Sequence, residues 1–228
     1  MSYKELSQKL KPGTICLVAG RPRMGKSDFI FTLEYYCLRE DSYCMVSVKH
    51  DEYEKSRIER YADAAIRSKN RSDKAVLFHI DYTDPLKEEI PDKESIGETY
   101  RALKEIAIKY NSCFLVEIPL SRKVDERFDH TPGVNDILFW DILKSHVDMA
   151  IILSSPGYYD RPDDEVDEIL EGLENPEDRR PYEELAKKRY SEWADTEGKT
   201  AYVYMWNSCG TLLNKYVMNW DANERVIR

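Results

Sequence analysis

The residues best suited to chemistry form one octapeptide that contains every fixed position of the pattern G-x-x-x-x-G-K-[ST]: Gly20, Arg21, Pro22, Arg23, Met24, Gly25, Lys26 and Ser27. In this pattern backbone N–H groups surround the phosphates of a nucleoside triphosphate, the lysine reaches the β- and γ-phosphates, and the hydroxyl binds Mg²⁺. We expect Lys26 and Ser27 to have these two roles. The sequence therefore predicts a site for ATP, with Mg²⁺ as its cofactor.

The segments on either side of the octapeptide support this interpretation. An apolar run at 15–19 precedes it, and a helical pattern at 28–34 follows it. The order strand, loop, helix directs the N-terminus of the helix at the phosphates. The alternative is a glycine-rich turn that binds nothing, and the complete motif with both flanks present disfavours it.

A phosphate-binding loop also needs a carboxylate at the end of a neighbouring strand to hold the metal, usually through water. Asp81 closes the apolar run at 75–80 and is the predicted second group of the Mg²⁺ site beside Ser27. The alternative role for Asp81 is to cap a helix or turn. Asp84 is a weaker candidate, because it precedes Pro85 and is suited to starting a turn.

Strand-like and helix-like segments alternate along most of the chain. Apolar strand-like runs lie at 15–19, 43–48, 75–80, 113–116 and 149–153, and helical patterns at 28–34, about 52–68 and 95–109. Runs at 200–206 and 212–220 flank Cys209 and Gly210 and predict a hairpin. The fold class expected is α/β: a mostly parallel, twisted sheet flanked by helices, with a C-terminal antiparallel hairpin.

Composition favours one domain in a reducing compartment. The 228 residues fit a single α/β domain, and no apolar run is long enough to span a membrane. The first residues lack the apolar segment of a secretion signal, so we expect a cytoplasmic protein. Five cysteines include no C-x-x-C pair, and the four histidines are scattered, so a dedicated metal site of Cys and His is not expected.

The net charge of −9 comes from one segment. Asp160–Asp178 contains ten acidic residues and one basic residue, and the rest of the chain has 33 of each. We expect this segment to belong to an acidic helical insert at about 157–197. Its first helix has an apolar stripe, Pro176 and Pro181 interrupt it, and a second helix lies at about 182–193; the stripe consists of Val166, Ile169, Leu170 and Leu173. The insert is either a solvated flap packed on the domain or a docking surface for a basic protein partner.

Several segments together resemble the motor domain of DnaB-type replicative helicases. They are 10–13, 18–27 with its Arg-Pro-x-Met-Gly-Lys wording, Ile80-Asp81-Tyr82, 101–107, Leu120-Ser121-Arg122 and Val147-Asp148. The resemblance implies a single RecA-like domain over 1–228, with its core at 10–153 and 199–220. The family hydrolyses ATP in a hexameric ring that moves along single-stranded DNA. Its N-terminal collar domain has no counterpart here, so a stand-alone motor domain is expected.

The residues that hydrolyse ATP in this family are poorly matched. The glutamate that polarises the attacking water is replaced by Lys49, and a protonated amine cannot accept a proton. Weak substitutes are Asp51, Glu52 and Glu117. Of these, Glu117 is more readily interpreted as a surface charge at the end of a strand.

Three further family features also fail to match. The Ser-Gln γ-phosphate sensor is replaced by Ile118 and Pro119, and the DNA-gripping loop by Leu138, Phe139, Trp140 and Asp141. Phe139 and Trp140 could stack on bases, but such pairs more often pack in a core or an interface. The lysine and arginine that reach into a neighbouring subunit's nucleotide are replaced by Trp206 and Ser208.

The sequence therefore leaves two functions open. The first is a DnaB-like domain that binds Mg·ATP with impaired hydrolysis and impaired DNA coupling, and that acts as a nucleotide-dependent interaction module in DNA replication or mobile-element biology. The second is an active DNA helicase or DNA-stimulated ATPase, which contacts single-stranded DNA through Arg122, Lys123 or Arg127. A homo-oligomer is compatible with both. A small-molecule kinase is disfavoured, because only Arg179 and Arg180 resemble the clustered arginines of a lid.

Overall fold

Apolar runs form the central strands of a sheet that is buried on both faces. The computed structural model describes residues 3–22, 24–39, 43–47, 54–71, 73–81, 93–127, 130–155, 173, 175–196, 200–221 and 226–227. Its strands are β1 (Thr14–Gly20), β2 (Tyr43–Ser47), β3 (Ala75–Asp81), β4 (Ser112–Pro119), β5 (Met149–Ser154), β6 (Thr200–Asn207), β7 (Leu212–Asp221) and β8 (Val226–Ile227). Almost every residue of β1, β4 and β5 is buried, as expected for parallel strands covered on both sides.

The strand order places β1 in the middle of the sheet. Among the described residues the order is β2-β3-β4-β1-β5-β6-β7-β8. Strands β1 to β5 pair in parallel, and β6, β7 and β8 continue the sheet in antiparallel fashion. The predicted fold class, a mostly parallel α/β sheet with a C-terminal antiparallel hairpin, is confirmed.

Helices cover both faces of this sheet. They are α1 (Tyr3–Ser7), α2 (Lys26–Arg39), α3 (Glu54–Lys69), α4 (Lys93–Lys109), α5 (Trp140–Leu143) and α6 (Pro176–Thr196). Side chains of α1 and α2 pack on one face of the sheet, and those of α3, α4 and α5 pack on the other. Two short 3₁₀ turns, Arg122–Val124 and Val134–Asp136, lie between β4 and α5.

Several details differ from the expectations. The strand predicted at 113–116 runs to Pro119, and α4 begins at Lys93 rather than at Ser95. Pro181 lies inside α6 instead of interrupting it. Pro176 is the first residue of α6, where proline costs no backbone hydrogen bond. The short strand β8 was not predicted, because a two-residue pairing leaves no periodic pattern.

Most of the acidic segment lies outside the described residues. Of Asp160–Asp178, the structure describes Leu173 and 175–178, and α6 covers the helix expected at 182–193. The stripe residues Val166, Ile169 and Leu170 are not among the described residues. A docking role for this segment therefore stays a prediction.

Candidate nucleotide-binding site

The octapeptide forms the turn between β1 and α2. Strand β1 ends at Gly20 and α2 begins at Lys26, so the turn lies at the carboxyl edge of the parallel sheet, where ligands bind in open α/β folds. Two glycines are required by geometry. Gly25 has φ 71°, in the left-handed region. A Cβ on Gly20 would lie 3.1 Å from Cγ of Lys26 and 3.3 Å from the carbonyl oxygen of Leu153.

The start of the turn is attached to the segment after β4. Nε of Arg21 donates a 3.1 Å hydrogen bond to Oδ1 of Asp125, and Nη1 donates a 3.2 Å hydrogen bond to the carbonyl oxygen of Leu120. Met24 is buried, and its N–H donates to the carbonyl oxygen of Arg21 at 3.3 Å. Pro22 is exposed, and Arg23 is outside the described residues. These contacts fix the path of the turn on its β4 side.

Lys26 and Ser27 both face Glu117. The Ser27 hydroxyl lies 3.3 Å from each carboxylate oxygen of Glu117, and Nζ of Lys26 lies 3.8 Å from Oε1. Glu117 is only 2% exposed, so the interpretation of it as a surface charge is wrong. The reason is that β4 extends past Glu117 and lies between β1 and β3, which cover it on both sides.

A buried histidine and a second buried glutamate lie behind Glu117. Nε2 of His79 is 3.8 Å from Oε2 of Glu117, and Nδ1 of His79 is 3.3 Å from Oε1 of Glu34. Burial lowers the pKa of His79, but the two carboxylates outweigh burial and raise the pKa to about 9. His79 is therefore protonated at neutral pH and carries the positive charge between two buried acids.

Sequence reasoning missed His79 and Glu34. Glu34 lies on the buried face of α2, together with Leu33 and Cys37, where a carboxylate is unexpected unless it is paired. That interruption of an apolar face was the available signal. Its partner is 45 positions away in the sequence, so the pairing itself could not be deduced from the chain.

The strand register brings Asp81 to the same edge. The backbone of Asp81 pairs with that of Glu117 at the ends of β3 and β4. The sheet thus brings Ser27, Glu117 and the backbone of Asp81 to one edge. Three other predicted residues, Lys49, Asp51 and Glu52, lie outside the described residues, so their roles stay predictions.

The segment aligned with the family's DNA-gripping loop is packed in the core. Trp140 is 6% exposed and belongs to the cluster under α4, and Phe139 is half-buried against the same cluster. Leu138 is partly buried, while Asp141 is exposed and pairs with Lys93 at 3.0 Å. The packing interpretation of Phe139 and Trp140 is confirmed.

The other residues considered for DNA differ in their surroundings. Arg127 donates to Oδ1 and Oδ2 of buried Asp136 at 2.9 and 2.7 Å and to the carbonyl oxygen of Thr131 at 2.6 Å. It thus fastens the loop that contains the second 3₁₀ turn. Arg122 and Lys123 are exposed on the first 3₁₀ turn.

The positions that replace the family's sensor and its inter-subunit residues are largely covered. Ile118 is buried and Pro119 is partly buried at the end of β4. Trp206 packs partly on the core, and Ser208 is half-buried at the turn of the β6–β7 hairpin. Hydroxyl, amide or guanidinium chemistry of the family's kind is therefore missing at the first three of these positions.

The arrangement fits a magnesium–nucleotide better than a metal bound alone. Within the described ranges, no group of three or more His, Cys, Asp and Glu could hold a metal ion. Mg²⁺ in phosphate sites uses one or two carboxylates and takes its remaining ligands from phosphates and water, which this edge could accommodate. The glycine turn and the positions of Lys26 and Ser27 fit such a group. None of the described helices is both long and apolar enough to cross a membrane.

Comparison with known proteins gives a fold but no family assignment by sequence. No protein-family model matches the sequence, and no curated protein matches it. A solved structure of a DnaB-like replicative helicase, described together with its interactions with primase, matches with a TM-score of 0.65 and 14% identity. The match covers 96% of this chain and 57% of that one. The chain therefore spans little more than half the length of that helicase.

A second solved structure, the ATPase domain of another helicase, is of similar size to this chain. It matches with a TM-score of 0.63 and 17% identity, over 99% of this chain and 88% of that one. At these identities the likeness concerns the fold. The resemblance read from the sequence is therefore confirmed at that level: the chain has the RecA-like fold of DnaB-like helicase ATPase domains.

Proposed function

We propose that this chain binds Mg·ATP through Gly20–Ser27, with hydrolysis and DNA coupling impaired, and acts as a nucleotide-dependent interaction module in DNA replication or mobile-element biology. Ser27 and Asp81 are the proposed metal-binding residues. Bound Mg²⁺ would neutralise the charge of the phosphates. The chain itself supplies the glycine turn, the Lys26 ammonium and the N-terminus of α2.

One observation carries the binding proposal. The turn has the geometry that a polyphosphate needs, with a left-handed Gly25 and with Lys26 and Ser27 at the first positions of a 14-residue helix. The backbone N–H groups of that first turn have no helical partners and attract anions. A complete motif in this structural setting is far more specific than the motif alone.

The impairment proposal depends on replacements at positions where the family needs polar groups. Trp140 lies in the core and Phe139 packs on it, so the loop aligned with the DNA grip has no group aimed at a phosphate there. Lys49 replaces the carboxylate that would accept a proton from water. Trp206 replaces a cation at the hairpin. Loss of such a cation lowers turnover by orders of magnitude in related enzymes.

An interaction role would use surfaces that nucleotide binding could order. The acidic segment Asp160–Asp178 is the proposed surface for a basic protein partner, because its ten acidic residues account for the whole net charge. Assembly into a homo-oligomer is compatible with this role.

One observation favours the second function, an active helicase or DNA-stimulated ATPase. Glu117 places a buried carboxylate beside Lys26 and Ser27, where the sequence predicted none. A carboxylate in this position could in principle serve as the base that Lys49 cannot supply.

The deciding experiment compares wild type with Lys26→Ala. We expect calorimetry to show Mg·ATP binding by wild type and a loss of about 100-fold in the variant, because its phosphates lose their ammonium partner. Exposed Lys69 on α3 provides the matched control, since Lys69→Ala should bind as wild type does. Equal binding by Lys26→Ala would overturn the proposal.

Hydrolysis is then measured with and without single-stranded DNA. Binding without turnover supports the interaction module. Turnover that requires Lys26 and rises with DNA would establish the active enzyme instead. DNA affinity should also fall steeply with salt if real phosphate contacts exist.

A further inference from the structure

We infer that Glu117 is a direct ligand of the divalent cation that accompanies the nucleotide, a role that the motif does not assign to it. The inference rests on the proposed function, because the cation is expected only together with the phosphates. It places a glutamate of β4 beside Ser27 in the metal site, in addition to the aspartate predicted at the end of β3.

The first support is the distance between Glu117 and Ser27. Both carboxylate oxygens lie 3.3 Å from Oγ of Ser27, the hydroxyl that the motif assigns to Mg²⁺. Two adjacent ligands of an octahedral Mg²⁺, each about 2.0–2.1 Å from the metal, are about 3 Å apart. The two side chains are therefore already near the spacing of neighbouring metal ligands.

The second support is the charge balance once phosphates are bound. Glu117 is 2% exposed, and a buried carboxylate must be paired with positive charge. Lys26, 3.8 Å away, is its partner on the side of the turn. A polyphosphate that draws on Lys26 would face Glu117 with like charge across a few ångströms. A divalent cation between them removes this repulsion, and the hydroxyl of Ser27 marks where that cation would lie.

The third support is the side of Glu117 that faces away from the turn. His79 lies 3.8 Å from Oε2, and Glu34 lies 3.3 Å from the other ring nitrogen of His79. These groups hold the carboxylate from behind, so it need not be recruited from solvent. In the described part of the chain no cluster of three or more ligating residues could bind a cation unaided. The cation should therefore bind only with the nucleotide.

The same geometry argues against Glu117 as the base. A base must approach the water that attacks the γ-phosphate, whereas Glu117 is equidistant from Ser27 with both oxygens. A carboxylate facing the hydroxyl in this way is arranged to share a metal with it.

The test measures ATP affinity by calorimetry, in EDTA and in Mg²⁺, for wild type and Glu117→Gln. We expect the amide to raise the affinity for metal-free ATP about tenfold, because a negative charge beside the phosphates is removed. We also expect it to reduce the gain in affinity that Mg²⁺ provides by about tenfold or more, because a ligand is lost. These opposite changes would not result from general damage to the site. Exposed Glu126, in the turn after β4, gives the control Glu126→Gln, which should change neither value.

A second measurement follows the metal itself. Electron paramagnetic resonance of Mn²⁺, titrated into protein saturated with ADP, should show weaker metal binding in Glu117→Gln than in wild type. Glu117→Asp provides an independent variant that keeps the charge. It should lose part of the metal enhancement without gaining affinity for metal-free ATP. It also keeps the inference testable if the glutamine variant does not fold.

The outcomes separate the two proposals. If Glu117→Gln retains the full Mg²⁺ enhancement and unchanged Mn²⁺ affinity, the inference is wrong even though Lys26-dependent nucleotide binding stands. If Asp81→Asn alone abolishes the enhancement while Glu117→Gln preserves it, Asp81 is the acidic ligand and the inference is again wrong. If wild type binds no nucleotide in either buffer, the proposed function fails and the inference fails with it.

Discussion

The turn after β1 and the segment before β5 both matter to the function of DnaB-type motors, yet here they carry opposite kinds of side chain. Around the turn, Lys26, Glu117 and His79 form a chain of buried charged groups with contacts of 3.8 Å. In the segment before β5, Trp140 is enclosed by apolar neighbours and Phe139 packs beside it. Buried charge is costly and persists where a ligand or a partner needs it, whereas buried aromatic rings stabilise the fold without any ligand. The difference favours a chain that keeps its phosphate site and uses the other segment as core.

The largest expected effect comes from removing the core tryptophan. Trp140→Ala should lower the free energy of unfolding by about 3–5 kcal/mol, because the indole of a 6% exposed side chain leaves a cavity. Urea unfolding followed by circular dichroism measures the change. Tyr35, which is 56% exposed on α2, gives the control Tyr35→Ala, with an expected loss of about 0.5–1 kcal/mol. Unchanged stability together with weaker DNA binding would show that Trp140 serves DNA and would remove the contrast between the two regions.

A smaller effect is expected at the turn itself. Gly25 has φ 71°, a conformation that costs an alanine about 1–2 kcal/mol. In Gly25→Ala the turn should relax away from this conformation, and nucleotide binding would have to restore it. We expect ATP affinity to fall about tenfold in calorimetry.

Gly133 supplies the matched control for that substitution. Its φ of −128° suits any residue, and an added Cβ would lie 3.9 Å from its nearest neighbour, Oδ2 of Asp136. Gly133→Ala should therefore bind ATP as wild type does. Equal affinities for the two variants would mean that the left-handed conformation of Gly25 is not needed for binding.

The features that were predictable from sequence are those with a local cause. Apolar runs defined the strands, and the glycines with Lys26 and Ser27 defined the turn, because backbone conformation and periodicity are written in neighbouring residues. The burial of Glu117 was not predictable. It depends on β4 lying between β1 and β3, a strand order set by contacts between distant segments. The pairing of His79 with Glu34 has the same origin.

The interpretation of aromatic residues illustrates a second limit. Phe139 and Trp140 have side chains suited either to base stacking or to a core, and their types alone do not distinguish the two. The packing of α5 under α4 decided for the core. Residue type thus predicted the possible roles, and tertiary contacts selected among them.

The smallest expected effect concerns the position at which the family carries its glutamate. Lys49→Glu should raise residual ATP hydrolysis several-fold, because a carboxylate can accept a proton from water and an ammonium cannot. Phosphate release under saturating Mg·ATP measures it. Lys49→Gln separates the causes: if glutamine raises the rate as much as glutamate does, the gain comes from removing a positive charge and not from adding a base. A fall in rate with both variants would instead identify Lys49 as a phosphate-binding residue of a working enzyme. In that case the chain would have replaced the family's catalytic group rather than lost it, and the contrast between a preserved phosphate site and an impaired motor would no longer hold.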